Sequence, residues 1–174
     1  WCSDLGPVSS LRDQKTLDIS GCQRITSLDP LRELRELQRL DLHDCPGIRD
    51  LSALSRLGEL QWLDLRGCLS VTSLAPLASL ASLQWLDLGG CERVTSLEPL
   101  DGMDQLQALA LHGCSAVSDL GPLRSMRRLK ALVISGCPDI VDLTPLKQLK
   151  PGGKVWVRGS GVQQVPSGLR WEVI

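Results

Sequence analysis

The sequence predicts an α/β solenoid: a curved stack of repeats with short parallel strands on its concave side and 3₁₀ or short helical turns on its convex side. Three periodic features carry this prediction. A cysteine recurs every 23 residues, a Leu-x-Leu-like triplet stands just before each of these cysteines, and a proline stands eight residues after five of them. The cysteines are Cys22, Cys45, Cys68, Cys91, Cys114 and Cys137.

The Leu-x-Leu triplets are the predicted strands, because apolar side chains at alternate positions give a strand one buried face. They begin at Leu17, Leu40, Leu63, Leu86, Leu109 and Leu132, with a weaker one at Val155. A period of 23 residues leaves room for one strand and one or two helical turns per repeat. The leucines of each unit must therefore be buried against neighbouring units.

The proline column marks the predicted helical turns on the convex side. Proline suits the first position of a helical turn, where its missing N–H is not needed. The column holds Pro7, Pro30, Pro76, Pro99, Pro122 and Pro145, with Ala53 in the remaining repeat. Because the strand side and the helical side differ in width, the stack is expected to curve.

The register divides the chain into three segments. Residues 1–14 read as a truncated half repeat, residues 15–150 as six repeats, and residues 151–174 as a degenerate last repeat with a C-terminal cap. On this register Cys2 falls in an Ile/Val column as a small apolar filler, and the N-terminus is expected to be truncated. The alternation of Trp171 and Val173 predicts a short closing strand.

Each unit reads Leu-x-x-Leu-x-Leu-x-x-Cys-x-x-(Ile/Val)-x-(Ser/Asp)-Leu-x-Pro-Leu. This pattern resembles the leucine-rich repeat in its short internalin-like and phosphatase-regulatory classes, with Cys where Asn usually stands. The pattern Gly-Cys-x-x-Val-Thr-Ser-Leu-x-Pro-Leu at residues 67–77 and 90–100 is also similar to leucine-rich repeat proteins of kinetoplastid parasites. The resemblance implies a solenoid that recognises other proteins.

The cysteines allow three interpretations: a disulfide framework, a metal site or a buried ladder. One cysteine per repeat forms a line with steps of ~4.8 Å, whereas zinc needs four converging ligands. Disulfides along one seam would strain the stacking, and seven cysteines cannot all pair. We therefore predict buried thiols that donate weak hydrogen bonds to the backbone. Thiols in this number indicate a reducing compartment, cytoplasmic or nuclear.

Three columns of strand side chains are predicted to point away from the core on the concave face. The first column holds Thr16, Arg39, Trp62, Trp85, Ala108, Ala131 and Lys154. The second column holds Asp18, Asp41, Asp64, Asp87, Ala110, Val133 and Trp156. The third column holds Ser20, His43, Arg66, Gly89, His112, Ser135 and Arg158.

These columns predict the partner-binding residues. They are Arg39, Asp41, Trp62, Asp64, Arg66, Trp85, Asp87, Ala110, Val133 and Trp156. Exposed tryptophans are typical interface anchors, and indole rings beside carboxylates suit an arginine or lysine side chain. The expected partner is a protein surface with basic and apolar side chains. The alternatives are that the two indoles only brace the sheet and that the aspartates form a solvated, screened column.

The sequence gives little support for catalysis, and no cofactor or metal is predicted. His43 and His112 lie three repeats apart, ~14 Å at strand spacing, and no nucleophile with an oxyanion donor accompanies them. The run from Pro151 to Lys154 lacks the first glycine and the Ser/Thr of a phosphate-binding loop. A net charge of −1 gives no drive toward nucleic acid, and no apolar run reaches the ~20 residues of a membrane span.

The predicted function is a non-catalytic protein–protein interaction module. Two alternatives stay open: a substrate-receptor or regulatory region of a larger enzyme, such as a ubiquitin ligase or signalling regulator, and a structural scaffold in a cytoskeletal or flagellar assembly. A basic convex edge could also meet an acidic protein or nucleic acid, or simply be solvated. It comprises Arg124, Arg127, Arg128, Lys130, Lys147 and Lys150.

Overall fold

The computed structural model describes residues 4–174, which form one parallel sheet whose eight strands follow each other in chain order. The strands are β1 (Thr16–Asp18), β2 (Arg39–Asp41), β3 (Trp62–Asp64), β4 (Trp85–Asp87), β5 (Ala108–Ala110), β6 (Ala131–Val133), β7 (Lys154–Trp156) and β8 (Glu172–Val173). From β1 to β7 the register sets equivalent repeat positions side by side, as in Leu40 beside Leu63. The predicted solenoid is confirmed; Cys2 lies outside the described residues.

The connections on the convex side are 3₁₀ segments, which is one of the two types of turn that the sequence predicts. They span Gly6–Ser10, Asp29–Glu33, Ser52–Arg56, Ala75–Ser79, Glu98–Leu100, Gly121–Ser125 and Thr144–Gln148. Proline stands in the first turn of each except Ser52–Arg56, which has Ala53. A repeat of 23 residues leaves no room for an α-helix of ordinary length, and each 3₁₀ segment is at most five residues long. Within residues 4–174 no helix has the length and hydropathy of a membrane span.

The strands begin one residue earlier than the predicted triplets. Strand β3, for example, covers Trp62–Asp64, where the sequence pattern predicts a start at Leu63. The Asp64 carboxylate accepts a hydrogen bond from the Arg66 N–H at 2.9 Å, which caps the backbone just beyond the strand. Main-chain bonds to the next repeat continue past this cap, as from the Gly67 N–H to the Gly89 carbonyl at 2.8 Å.

The core is a continuous apolar column that runs along the stack from repeat to repeat. The third repeat supplies Leu60, Leu63, Leu65, Cys68 and Val71, all with no exposed surface. At the C-terminal end Trp171 is 6 % exposed, and its indole N–H donates to the Lys150 carbonyl at 2.9 Å. Val173 of β8 pairs with Val155 of β7, which confirms the predicted closing strand.

The cysteine ladder is buried, and its thiols bond to the backbone as predicted. The sulfurs of Cys45, Cys68, Cys91, Cys114 and Cys137 lie 2.9–3.2 Å from main-chain carbonyl oxygens of the preceding repeat. Each of these carbonyls belongs to the residue that follows a strand, such as Leu42 for Cys68. Burial raises the pKa of Cys68 and of Cys114 to about 12. The thiols therefore serve as packing groups and weak donors.

A turn with left-handed backbone precedes each thiol of the ladder. Its φ is 55° at Asp44 and between 67° and 74° at Gly21, Gly67, Gly90, Gly113 and Gly136, and Gly159 has the same conformation before Ser160. Glycine accepts this conformation without a Cβ clash, and aspartate is among the few other residues that tolerate it. The left-handed conformation explains why glycine directly precedes cysteine in most repeats.

Candidate protein-binding face

The most distinctive feature of the concave face is a column of three stacked planar groups, Arg39, Trp62 and Trp85, which we call the aromatic column. The parallel register places these three residues side by side on β2, β3 and β4. The two indole centroids are 4.4 Å apart with planes inclined by 5°. The Arg39 guanidinium carbon lies 3.7 Å from the Trp62 centroid. Strand spacing of ~4.8 Å is close to a stacking distance, so the register itself creates the column.

The aromatic column ends at Trp85 because the next residues in the first column are small. Ala108 is in register with Trp85, and Ala131 follows it on β6. A methyl group cannot cover an indole ring. Among residues 4–174, no further ring or guanidinium extends the stack. No stacking partner among residues 4–174 covers the side of the half-buried Trp85 ring that faces away from Trp62, which we call its open face.

The aspartates of the second column do not form the exposed column that the sequence predicts. Asp18 is exposed and Asp41 is partly buried, but Asp64 is 0 % and Asp87 is 6 % exposed. Each carboxylate accepts a hydrogen bond from the N–H two residues later, at 2.8–3.1 Å. The alternative of a solvated, screened column is wrong for Asp64 and Asp87, because local backbone capping and long side chains of the third column cover them.

These long side chains connect the aspartates into what we call the polar network. Arg66 Nη2 lies 2.6 Å from Asp64 Oδ2, and Arg66 Nε lies 3.6 Å from Asp87 Oδ2. His112 Nδ1 lies 3.8 Å from Asp87 Oδ1. At the other end, His43 Nδ1 lies 2.8 Å from Asp41 Oδ1. The buried carboxylates are therefore paired within the chain, which offsets the cost of their desolvation.

Gly89 and His112 are neighbours within the candidate site that the sequence interpretation did not select. A Cβ built on Gly89 would lie 1.8 Å from His112 Cε1. The missing side chain therefore lets the His112 ring lie against this strand, near Asp87. The signal was present in the third column, where glycine stands directly before a histidine.

Protonation in the polar network depends on these contacts. The hydrogen bond to Asp41 raises the pKa of His43. Burial raises the pKa of Asp87, against the opposing effect of the Gly89 N–H. The hydrogen bond to Asp64 raises the pKa of Arg66, so this guanidinium stays charged.

Three polar side chains lie close enough to serve as ligands of a metal ion. The potential ligand atoms of Asp41, His43 and Asp64 lie within 4.8 Å of one another. Both Asp64 carboxylate oxygens, however, already accept hydrogen bonds from the Arg66 guanidinium at 2.6–3.0 Å. A cation placed there would meet the guanidinium charge, so we assign this cluster no metal role.

The C-terminal half of the concave face is an apolar patch. It consists of Ala108, Ala110, Ala131, Val133 and Trp156, all partly buried. Ala110, Val133 and Trp156 are neighbours across β5, β6 and β7. Beside the patch, Lys154 forms an exposed ion pair with Glu172 at 3.0 Å. The patch begins where the aromatic column stops.

The ten predicted partner-binding residues thus fall into three adjoining groups on the same side of the sheet. The aromatic column contains Arg39, Trp62 and Trp85; the polar network contains Asp41, Asp64, Arg66 and Asp87; the apolar patch contains Ala110, Val133 and Trp156. Their role in partner binding stays a prediction. The groups that a partner could touch directly are those of the column and the patch together with Arg66, whose side chain is 46% exposed.

Comparison with known proteins agrees with the repeat architecture. A family model described as leucine-rich repeats in two copies matches residues 15–56. No curated protein matches the chain.

Solved structures match nearly the whole chain. An internalin C2 of Listeria monocytogenes is 26% identical with a TM-score of 0.78, over 96% of this chain and 73% of that one. A second Listeria internalin is 17% identical with a TM-score of 0.52, over 94% and 61%. A leucine-rich repeat protein of Leptospira interrogans is 17% identical with a TM-score of 0.63, over 99% and 53%. The last two matches support the fold alone.

Proposed function

The chain is a leucine-rich repeat solenoid, and on that basis we propose that its concave face binds a protein segment carrying an arginine or lysine side chain followed by apolar side chains. Domains of this fold typically serve as protein-interaction modules and are typically not catalytic. The observation that carries the proposal is the open face of Trp85 at the end of the aromatic column. The arginine or lysine would stack there, and the apolar side chains would cover the patch.

Arg39 provides an internal precedent for this contact. Its guanidinium already lies 3.7 Å from the Trp62 centroid at the opposite end of the stack. A partner arginine above Ala108 would make the equivalent contact with Trp85. Such cation–π contacts contribute ~0.5–1 kcal/mol when exposed and ~2 kcal/mol when desolvated.

Charge favours a basic partner over an acidic one. Three carboxylates (Asp41, Asp64 and Asp87) face two guanidinium groups (Arg39 and Arg66), which leaves one net negative charge when both histidines are neutral. Direct pairing of the partner with Asp64 or Asp87 is not part of the proposal, since both are buried. Their charge acts at a distance on the approaching cation.

The test is binding of the intact chain to arrayed peptides that combine arginine, lysine or glutamate with leucine and valine. We expect selection of basic-apolar peptides, and a loss of affinity of about tenfold or more in Trp85→Ala, as for an interface anchor. Trp85→Phe should retain part of the affinity because it keeps a ring.

Arg56→Ala, an exposed change on the convex 3₁₀ segment, is the matched control and should bind like the wild type. Thermal unfolding of each variant separates loss of binding from loss of fold. Selection of acidic peptides, or equal affinity of Trp85→Ala and wild type, would refute the proposed binding mode.

The proposal also covers whether the chain is catalytic and in which cellular compartment it works. We infer that the chain itself acts as a binding module and that it works in a reducing compartment, cytoplasm or nucleus. The buried thiols that donate to backbone carbonyls support the second point, since their role needs the reduced form. Identification of the captured partner also decides between an independent module, the receptor region of an enzyme and a scaffold.

A further inference from the structure

We propose that a basic pocket between the loops that lead into β6 and β7 binds a phosphoryl group. The pocket has a volume of about 420 Å³, and its cationic lining residues are Arg127, Arg128, Lys130 and Lys150. It lies beside the concave face, because Lys130 directly precedes Ala131 of the apolar patch. This site is separate from the aromatic column, and its proposal does not depend on the concave-face partner.

The lining chemistry suits a doubly charged anion. Four cationic side chains line the pocket, and no aspartate or glutamate is among its lining residues. A phosphorylated side chain carries about −1.5 to −2 charges at neutral pH and offers three strong acceptor oxygens. Arginine guanidinium groups can bind such oxygens in pairs. A single carboxylate would leave most of this positive charge unbalanced.

The basic charge is specific to this end of the solenoid and is not imposed by the repeat. The equivalent loops near the N-terminal end line a pocket of similar volume, about 410 Å³. That pocket contains Arg12, Asp13, Glu33, Arg35 and Glu36, two arginines against three carboxylates. One repeat before Arg127 and Arg128, the same positions hold Asp104 and Gln105. Of the two pockets, the one at the C-terminal end is lined by basic residues without acidic ones, whereas the N-terminal pocket contains both.

The pocket is held in shape by contacts from outside its lining. The Trp171 indole N–H donates to the Lys150 carbonyl at 2.9 Å. The Trp171 ring also packs on Gly153, where a Cβ would lie 2.3 Å from an indole carbon. Arg128 Nη1 donates to Gln105 Oε1 of the neighbouring repeat at 2.7 Å. Groups fixed before binding lose little conformational entropy on ligand capture.

The pocket is large enough to hold a phosphoryl group together with part of a carrier. Its volume of about 420 Å³ falls in the range of small-molecule sites, ~300–1,000 Å³. Two sources of the group share this chemistry: a phosphorylated side chain of a protein segment, and a free phosphorylated compound. The run from Pro151 to Lys154 contributes a fixed turn here, without being a phosphate-binding loop of the nucleotide-binding type.

The test is titration of the intact chain with inorganic phosphate, with a phosphoserine peptide and with the same peptide unphosphorylated, followed by NMR shifts of the Gly152 and Gly153 amides. We expect saturable binding of the phosphorylated probes. Lys130→Gln and Lys150→Gln should each weaken it by about tenfold. Lys130→Arg keeps the charge and should retain binding.

Lys15→Gln is the matched control. Lys15 holds the same repeat position as Lys130, five repeats earlier, and is likewise exposed, but it lies outside the pocket. Its substitution should leave the affinity unchanged. Tighter binding of the phosphopeptide than of phosphate would identify a protein source, and equal binding would show that the pocket recognises the phosphoryl group alone.

Three results would overturn the proposal. They are absence of saturation by either phosphorylated probe, equal weakening by Lys15→Gln and Lys130→Gln, and equal affinity for the unphosphorylated peptide. Binding of single-stranded RNA, with no binding of the phosphoserine peptide or of inorganic phosphate, would instead assign the surface to nucleic acid.

Discussion

At the scale of single residues, the left-handed turns that precede the thiols set the geometry of every repeat. Gly90 has φ 74°, and the nearest atom to a Cβ built on it is 3.7 Å away. Space is therefore available there, and the only obstacle to a side chain is the backbone conformation. The turn column can thus be tested without a steric clash.

We expect Gly90→Ala to destabilise the protein by about 1–2 kcal/mol, the cost of left-handed backbone in a residue with a Cβ. The measurement is urea unfolding followed by circular dichroism. Gly58→Ala is the control, because Gly58 has no positive φ and a Cβ built on it would have no atom within 4 Å. Gly58→Ala should stabilise the protein by ~0.4–1 kcal/mol, because alanine lowers the conformational entropy of the unfolded chain. Equal stability of the two variants would contradict the argument.

The His43–Asp41 pair predicts a pH dependence of stability. Its hydrogen bond raises the pKa of His43 above the ordinary value of 6.5. A raised histidine pKa gives stability that is complete below the unfolded pKa and is lost as pH rises through the folded pKa. His43→Gln should therefore flatten the dependence of the unfolding free energy on pH between about 6 and 8. The effect is modest, since the side chain is 35% exposed.

Asp41→Asn should flatten the same pH range, because it removes the carboxylate that raises the pKa of His43. Chemical unfolding at several pH values measures both variants. An unchanged pH dependence in either variant would rule out this pair as its source.

The ladder thiols should be unreactive in the native protein. Burial raises the pKa of Cys68 and Cys114 to about 12, so almost no thiolate forms near neutral pH. Iodoacetamide should leave both residues unmodified in the folded state and modify both after unfolding in urea, as measured by peptide mass spectrometry. Native modification at the rate of the unfolded chain would show that the ladder opens readily.

At the scale of the strand and its following turn, the second-column aspartates cap the backbone just beyond the strands. The alternation of leucines defines which face is buried, but it does not define where a strand ends. Ala110 and Val133 cannot form the aspartate cap, and their repeats nevertheless keep the same strand bounds. The cap is therefore not what ends the strands, and the strand bounds follow from the register that all repeats share.

Arg66→Ala should destabilise the protein by about 1–3 kcal/mol, because it leaves the buried Asp64 carboxylate short of its charged partner. Arg39→Ala removes a more exposed cation–π contact and should cost ~0.5–1 kcal/mol. Adding Asp64→Asn to Arg66→Ala should recover part of the loss by removing the buried charge. Equal effects of the two arginine substitutions in urea unfolding would argue against the buried pair.

The sequence predicts this architecture well because the repeat period determines it. Columns separated by 23 residues become neighbours in a parallel sheet, so the aromatic column and the apolar patch could be assigned before the structure. The burial of Asp64 and Asp87 could not be predicted from the sequence, since it depends on Arg66 and His112 folding back over these carboxylates. The basic pocket likewise requires loops of two repeats to lie side by side.

At the scale of the whole molecule, each repeat contacts only its neighbours. In the described sheet β1 pairs only with β2, and β8 pairs only with β7, through two residue pairs. The inner strands have a partner on both sides. In such a stack, stability is approximately a sum of repeat and interface contributions, and outer units open first.

Hydrogen exchange should therefore be slowest for amides of β4 and β5 and fastest for β8, with β1 between them. Mass spectrometry of peptides from the exchanging native protein measures this order. Uniform exchange across all eight strands would show instead that the solenoid opens in one cooperative step.

The stacked indoles of Trp62 and Trp85 have an optical consequence for the whole chain. The sequence contains five tryptophans and neither tyrosine nor phenylalanine, so its near-ultraviolet spectrum belongs to indole alone. Two nearly parallel indoles with centroids 4.4 Å apart couple their electronic transitions, which gives circular dichroism that separate rings lack. A cation that stacks on Trp85, as proposed, would perturb this coupled pair directly. Binding of such a partner could then be followed by circular dichroism of the unlabelled protein.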